Sequence, residues 1–280
     1  MKLHQIIRQK SRSLVRLASQ LHADYRENGL AHAVRLGRKT LKGITFKGKR
    51  GPAAPPSEFD RQYGVQTAGI VRVAAMDIEG PNYAYAVYYR ATEPELLRAA
   101  IAAVTPRPEA FTFVDYGSGK GLALMVASEF AFRAVVGVEF AKDLHQESVK
   151  NLAAFAQANP RQLCRQVQAV CGDAVEFPPP AGPLLCHFYD PFEDCILEKV
   201  LDRLAESNRA DPREIIVVYR SAAASSAMRY EEAHRQALFA SKPFLERVGV
   251  ELPPDHTAFR LLPVSGATAA TSSAPQRVAS

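Results

Sequence analysis

This chain of 280 residues has few cysteines and no long apolar run. The four cysteines, at positions 164, 171, 186 and 195, form no C-x-x-C pair, which excludes the usual zinc and dithiol spacings and indicates a reducing compartment. No segment approaches the roughly 18 apolar residues of a membrane span, and the basic start lacks the continuous apolar stretch of a secretory signal. We therefore expect a cytoplasmic protein, with organelle targeting by the basic start left open.

A glycine-rich turn between two apolar runs is the main feature that the chain does contain. Residues 113–121 read Phe-Val-Asp-Tyr-Gly-Ser-Gly-Lys-Gly, and eighteen residues beyond Gly121 a second apolar run ends at Glu139. An apolar run that enters a glycine turn and then a helix is typical of an open α/β sheet that presents its backbone to a ligand. An acid that closes the next strand can accept hydrogen bonds from both hydroxyls of a ribose. The two runs together predict a nucleotide-type cofactor site.

The spacing of the glycines favours one cofactor over another. A dinucleotide fingerprint is G-x-G-x-x-G, whereas this chain has G-x-G-x-G after an aspartate, whose charge opposes a phosphate but suits an ammonium. The stretch resembles motif I of the class I S-adenosylmethionine-dependent methyltransferases, hydrophobic-D-x-G-x-G-x-G. The resemblance extends over roughly residues 85–220. It implies that the methionine end of the cofactor contacts Asp115, Gly117, Ser118, Gly119 and Gly121, that the ribose contacts Glu139, and that Phe140 is among the cofactor contacts. A loop that serves only as a turn is the alternative, and an NAD-dependent oxidoreductase is a more distant one.

A third strand with an acid near its end follows. Residues 167–171 form a short run that leads into Gly172, Asp173 and Ala174. In the methyltransferases that motif I resembles, a G-D-A at this point binds adenine, and its acid accepts from the exocyclic amine. The alternative is a plain turn, because Gly-Asp pairs are common turn formers.

The next apolar run, over residues 184–189, leads into Asp190-Pro191-Phe192. This sequence resembles the [DN]-P-P-[YF] motif of amine methyltransferases, with one proline missing. The resemblance makes Asp190 and Phe192 candidate catalytic residues, because in the family an acidic or amide side chain accepts from the substrate amine and an aromatic face packs against it. Asp190 can also cap the next helix, since Asp followed by Pro is a common helix start. His187 is interpreted as a core histidine, and a role as general base stays open.

The segment before motif I carries a weaker resemblance. Tyr89-x-x-Thr92 is similar to the Y-x-P-[ST] segment of the seven-strand, non-SET protein-lysine methyltransferases, with an alanine in place of the proline. The resemblance places Tyr89 at the entry to the methyl group and Thr92 among the cofactor contacts. The sequence also predicts that Thr92 caps a helix over 94–104 through a capping box with Glu95. Residues 58–67 are similar to a segment that precedes the core in uncharacterised bacterial proteins of this type.

Charge divides the chain into two unequal parts. Residues 1–50 carry thirteen Lys or Arg and two acids, a net of +11, and the whole chain is +6, so residues 51–280 carry −5. Apolar residues at helical spacing in the first part predict a basic amphipathic helix. Such a helix can bind nucleic acid, an anionic membrane surface or an acidic protein, or it can pack on the core.

These patterns predict a basic helical arm over 1–50, a linker and lid over 51–90, a methyltransferase core over 91–264 and a disordered tail over 265–280. The expected fold class is α/β, a Rossmann-like doubly wound sheet of about seven strands with an antiparallel last strand. The expected function is transfer of a methyl group from S-adenosyl-L-methionine to a nitrogen of a protein side chain or another amine. The alternatives are a catalytically silent binding protein tethered by its arm and a nucleic-acid methyltransferase.

Overall fold

The computed structural model describes residues 52–78, Asn82, 85–222 and 226–262, together with Arg26 and Val34, and for 226–232 only the backbone. Apart from Arg26 and Val34, which are helical, the predicted basic arm lies outside the described residues. The predicted tail over 265–280 lies outside them as well. The proposed boundaries between arm, lid, core and tail therefore stay predictions.

A seven-stranded sheet forms the centre of the molecule. Two short strands precede it, β1 (Ile70–Val71) and β2 (Tyr89–Arg90), and pair antiparallel with each other. The sheet strands are β3 (Thr112–Tyr116), β4 (Ala134–Glu139), β5 (Val167–Cys171), β6 (Leu184–Tyr189), β7 (Ile215–Arg220), β8 (Leu245–Arg247) and β9 (His256–Leu261). Their order across the sheet is β5-β4-β3-β6-β7-β9-β8. The strands from β3 to β7 are parallel, and β9 runs antiparallel between β7 and β8. This confirms the predicted fold class, including the antiparallel last strand.

Helices cover both faces of the sheet. They are α1 (Glu58–Tyr63), α2 (Pro94–Val104), α3 (Leu122–Ser128), α4 (Lys142–Ala158), α5 (Asp194–Ala210) and α6 (Ser226–Ser241). Successive strand side chains point to opposite faces, so Phe113 packs in one buried cluster with α2, α3 and α4, while Val114 packs in another with α5 and α6. Within the described part of the chain, no helix has the length and apolar character needed to cross a bilayer.

Two predicted helix caps are wrong. Helix α2 begins after Glu93 with no side-chain cap, because Pro94 sets its start and the Thr92 hydroxyl accepts instead from Nη1 of Arg220 at 2.9 Å. Helix α5 likewise begins after Glu193, so Asp190 lies three residues too early to cap it. A capping box does occur at α1, where Ser57 and Asp60 exchange bonds between side chain and backbone.

Candidate active site

A cavity opens at the carboxyl ends of the parallel strands, where β3 and β6 lie side by side although the chain leaves them in opposite directions. Ligands of open α/β sheets bind at such a switch point. The cavity encloses about 960 Å³, including space open to solvent at its mouth. It brings together eleven of the fourteen predicted site residues: Tyr89, Thr92, Asp115, Gly117, Ser118, Glu139, Phe140, Gly172, Asp173, Ala174 and Phe192. Gly119, Gly121 and Asp190 are not among its lining residues. The roles assigned to all fourteen residues stay predictions.

The glycine loop folds back over the end of β4. The backbone N–H groups of Gly117 and Ser118 both donate to the carbonyl of Val138, at 2.9 and 3.0 Å. Gly119 has φ +53°, and a Cβ there would collide with the ring of Tyr89. Two features therefore require glycine at this position: the left-handed backbone and the aromatic ring that packs on it.

Glu139 is buried and supports this loop directly. Its two carboxylate oxygens accept from the N–H groups of Gly119 and Ala141, each at 2.7 Å. Burial raises the pKa of Glu139 to about 7, against the lowering effect of these backbone hydrogen bonds. A carboxylate has about four acceptor positions, so capacity remains for a ribose hydroxyl even with the further backbone hydrogen bond from Phe140.

Asp173 already holds a side-chain amide where the sequence predicts an adenine amine. One oxygen accepts from the N–H of Val175 at 2.9 Å, which fixes the turn, and the other accepts from Nδ2 of Asn82 at 2.6 Å. The amide NH₂ of Asn82 is chemically similar to an exocyclic amine. Its contact therefore shows that this oxygen of Asp173 can be reached by an N–H donor inside the cavity.

Asp115 pairs with a histidine that sequence reasoning treated separately. Nδ1 of His187 lies 2.7 Å from Oδ1 of Asp115, and both side chains are almost fully buried in the cavity wall. The two residues are direct neighbours on β3 and β6. His187 is thus in the core, as interpreted, but it is also a partner of the acid that the sequence assigns to the cofactor.

The segment before α2, described over residues 66–78 and 85–92 and at Asn82, forms a strap across the cavity. Tyr89 lies with its ring on the glycine loop and donates its hydroxyl to the carbonyl of Thr67 at 2.7 Å. Burial, together with nearby acids, raises the pKa of Tyr89 well above its ordinary value. Tyr89 is therefore a neutral cover of the loop, and its hydroxyl is engaged within the strap.

The strap is anchored by Asp60, a buried acid that sequence reasoning missed. Its carboxylate accepts from the N–H and hydroxyl of Thr67 and from the N–H of Ala68, at 2.7 to 3.0 Å. Burial alone would raise the pKa of Asp60, but hydrogen bonds from Thr67, Ser57 and Ala68 hold it below its ordinary value. The capping-box spacing of Ser57 and Asp60 was the available sequence signal.

The two candidates after β6 have different surroundings. Phe192 lines the cavity, packs edge-on against Phe188 and forms a backbone bridge with Ala86 of the strap. Asp190 has φ +40°, and its carboxylate accepts from the hydroxyl of Tyr219 at 2.8 Å and lies 3.1 Å from Nη1 of Arg235. The structure thus brings Phe192 to the cavity and commits the Asp190 side chain to an ion pair. Their catalytic roles stay predictions.

The cavity also contains charged and aromatic residues that no motif indicated. Arg90 and Tyr189 line the cavity. The guanidinium groups of Arg90 and Arg220 both lie over the ring of Tyr189. Tyr189 and Arg220 are the last residues of β6 and β7. A polar residue at the carboxyl end of an apolar strand was therefore the signal that could have found them.

The strand order and the helices on both faces of the sheet define an α/β protein of the doubly wound class. No protein-family model matches the chain, and no curated protein matches its sequence. Some solved structures share part of its fold.

One is an RNA methyltransferase from Salinibacter ruber in complex with S-adenosyl-L-homocysteine, at 16% identity and TM-score 0.42, covering 64% of this chain and 97% of that one. Another is a ribosomal protein L11 methylase from Lactobacillus delbrueckii subsp. bulgaricus, at 10% identity and TM-score 0.42, with coverages of 60% and 77%. A third is a magnesium protoporphyrin IX methyltransferase from Synechocystis PCC 6803 with bound S-adenosylmethionine, at 12% identity and TM-score 0.40, with coverages of 60% and 76%. Likenesses this low decide nothing about function, which has to be derived from the site.

Proposed function

We propose that this protein is an S-adenosylmethionine-dependent methyltransferase. The observation that carries the proposal is the placement of Asp115, Glu139 and Asp173, at or just beyond the ends of three adjacent strands, in one cavity around the glycine loop. S-adenosylmethionine presents an ammonium, two ribose hydroxyls and an adenine amine, which are three kinds of donor for three acids. A pyrophosphate cofactor would instead place its negative charge beside Asp115.

The residues of the cavity fit this cofactor. Asp115 would accept a hydrogen bond from the ammonium and Glu139 from the ribose. Asp173 would accept from the adenine amine, in place of the Asn82 amide that donates to it in this structure. Bound there, the cofactor supplies a methyl group activated by a sulfonium. The protein has to orient a nucleophile in line with that methyl group, an effect worth roughly 7–11 kcal/mol at best.

A nitrogen acceptor is the finer part of the proposal. It is supported by the resemblance of Asp190-Pro191-Phe192 to the amine-methyltransferase motif and by the position of Phe192 in the cavity wall. Phe192 would pack against the acceptor, and the strap residues opposite it would limit access by water.

Calorimetric titration tests the cofactor. Wild type and Glu139→Ala are titrated with S-adenosylmethionine, S-adenosylhomocysteine and NAD. We expect dissociation constants in the micromolar range for the first two ligands with wild type only, and no heat with NAD. Binding that is equal in the variant, or a preference for NAD, would contradict the proposed site.

Incubation with methyl-labelled cofactor and a cell extract tests the acceptor. Mass spectrometry of the hydrolysed product then identifies the methylated atom: an N-methyl product would support the proposal, whereas a methyl ester, an O-methyl ether or a C-methyl product would contradict the nitrogen acceptor. A specific observation favours a second candidate, a silent cofactor-binding protein, because Arg235 and Tyr219 hold the Asp190 carboxylate. Tight cofactor binding without any transfer, in extracts and on the protein itself, would favour that candidate.

A further inference from the structure

One wall of the cavity carries a positive charge that no described carboxylate pairs with. Arg90, at the end of β2, lines the cavity, and among the described residues no carboxylate forms an ion pair with it. The hydrogen bond that it donates to the backbone is a long one, from Nη2 to the carbonyl of Ala222 at 3.4 Å. Its Nε is shielded from solvent and has no acceptor in the described part of the chain. Such an unsatisfied donor on a half-buried cation is unfavourable unless a ligand completes it.

The neighbours of Arg90 increase the positive potential. The guanidinium carbons of Arg90 and Arg220 lie 5.2 and 4.4 Å from the centre of the Tyr189 ring. Arg220 is balanced by an ion pair with Glu93 and a hydrogen bond to Thr92, although its Nε is also buried without an acceptor among the described residues. Burial raises the pKa of Tyr189 despite the two nearby arginines and a side-chain hydrogen bond with Arg90, so the phenol stays neutral and does not neutralise the charge of Arg90.

Arg90, Tyr189 and Arg220 together form a cationic wall on this side of the cavity. A guanidinium presents its Nε–H and one Nη–H in parallel, which matches the two oxygens of a carboxylate. The Nε–H of Arg90 has no acceptor among the described residues but is shielded from solvent, so the guanidinium has to turn to present this edge to a ligand. The ring of Tyr189 lies against the guanidinium on one side. The acid in the same cavity, Asp115, has His187 as its partner and does not pair with Arg90.

We propose that Arg90, supported by Tyr189 and Arg220, binds a carboxylate group inside this cavity. The proposal rests on the proposed function for the identity of the other ligand groups. Two molecules can supply the carboxylate: the amino-acid end of the cofactor, or an acidic group of the methyl acceptor next to the reacting atom. The charge and geometry of the wall are the same for both, so the experiment has to separate them.

The experiment compares Arg90→Met, which keeps the length of the side chain and removes its charge, with Arg72→Met, which removes an exposed arginine of the same strap. Each protein is titrated with S-adenosylhomocysteine, which has the carboxylate, and with 5′-methylthioadenosine, which lacks the amino-acid end. Benzoate and its neutral analogue benzamide are then added to the free and the S-adenosylhomocysteine-saturated proteins, with binding detected by NMR. Arg90→Lys keeps the charge but lacks the two parallel N–H donors of a guanidinium, and it serves as a second variant if Arg90→Met is poorly folded.

A loss of about ten-fold or more in S-adenosylhomocysteine affinity in Arg90→Met, with unchanged 5′-methylthioadenosine affinity, would assign the carboxylate to the cofactor; ten-fold corresponds to about 1.4 kcal/mol. Unchanged S-adenosylhomocysteine affinity, with benzoate but not benzamide binding to the saturated wild type and not to Arg90→Met, would assign it to the acceptor. Neither effect, or an equal loss for both nucleosides, would overturn the proposal. If neither nucleoside bound wild type, the proposed function would fail, and benzoate binding to the free protein would still decide the carboxylate site.

Discussion

At the residue scale, the site depends on a few buried acids whose surroundings differ. Glu139 is held by two backbone N–H groups, no cation among the described residues forms an ion pair with it, and burial dominates its pKa. Asp60, by contrast, accepts enough hydrogen bonds to outweigh its burial. Asp60 therefore stabilises the strap, whereas Glu139 is kept at some cost in stability, as expected of a group that a ligand completes.

The first prediction concerns the stability of the ligand-free protein between pH 5 and 8. Glu139 ionises near 4.5 in the unfolded chain but at about 7 in the folded protein, so the unfolded state loses this proton first as the pH rises. The free energy of unfolding should therefore fall across this window, by up to about 3 kcal/mol. Urea denaturation of wild type and Glu139→Gln checks this. Wild type should lose more stability than the variant, and equal losses would contradict a buried, neutral Glu139.

Cofactor affinity should change with pH in the opposite direction. Ribose hydroxyls need an ionised acceptor, so binding should strengthen as the pH rises through the Glu139 pKa of about 7. Between pH 6 and 8 the dissociation constant of S-adenosylhomocysteine should fall by about ten-fold. Calorimetry at the two values measures it, with Glu139→Gln as the control, whose weaker binding should lack this step. A constant affinity in wild type would mean that Glu139 does not meet the ribose.

Gly119 gives the sharpest single substitution. Gly119→Ala places a Cβ against the ring of Tyr89 at a backbone φ of +53°. We expect a loss of about 1–3 kcal/mol in unfolding free energy and a loss of cofactor binding, because the loop and strap have to separate. Gly249→Ala is the matched control, since a Cβ there meets nothing within 4 Å. Thermal denaturation and titration of both variants check the prediction, and a Gly119→Ala protein that behaves like the control would contradict the described loop.

At the element scale, the parts that could be predicted are those that local pattern dictates. The glycine turn, the acids at or next to the ends of β3 and β4 and the antiparallel last strand follow from short stretches of sequence, and the structure has them. The Thr92 cap failed because its hydroxyl is bound by Arg220, 128 positions away. The cationic wall was missed for the same reason, since pairing between β6 and β7 and the path of the strap bring it together.

The strap gives a prediction at this scale. Tyr89→Phe removes the hydrogen bond to the carbonyl of Thr67 but keeps the ring on the glycine loop. It should cost about 1 kcal/mol of stability and change cofactor affinity little. Tyr89→Ala removes the cover itself and should weaken binding by about ten-fold or more, with faster amide exchange over residues 66–78 and 85–92. Hydrogen exchange and calorimetry of the two variants separate the effects, and equal behaviour would show that the ring does not cover the loop.

At the scale of the whole molecule, the charge of the chain is segregated. Residues 1–50 carry a net +11 and residues 51–280 a net −5, and the acids of the cofactor site belong to the second part. A basic segment joined to a core of negative net charge is suited to bringing an anionic partner to that core. Nucleic acid is one such partner and can be tested directly by its dependence on salt.

The last prediction compares two triple variants of the full chain. Arg8, Arg12 and Arg16, changed to Gln, remove three charges from the basic segment; Lys150, Arg161 and Arg247, changed to Gln, remove three exposed charges from the core. If the basic segment binds single-stranded RNA, the slope of log affinity against log salt should fall by about 2 in the first variant, at about 0.7 for each phosphate that the protein no longer neutralises. The slope should change little in the second variant, because that variant loses the same number of charges from outside the basic segment.

Both variants should bind S-adenosylhomocysteine as wild type does, since neither set contains a residue that lines the cavity. Equal slopes would remove nucleic acid as the partner of this segment, and weaker cofactor binding in the first variant alone would show instead that the segment packs on the core.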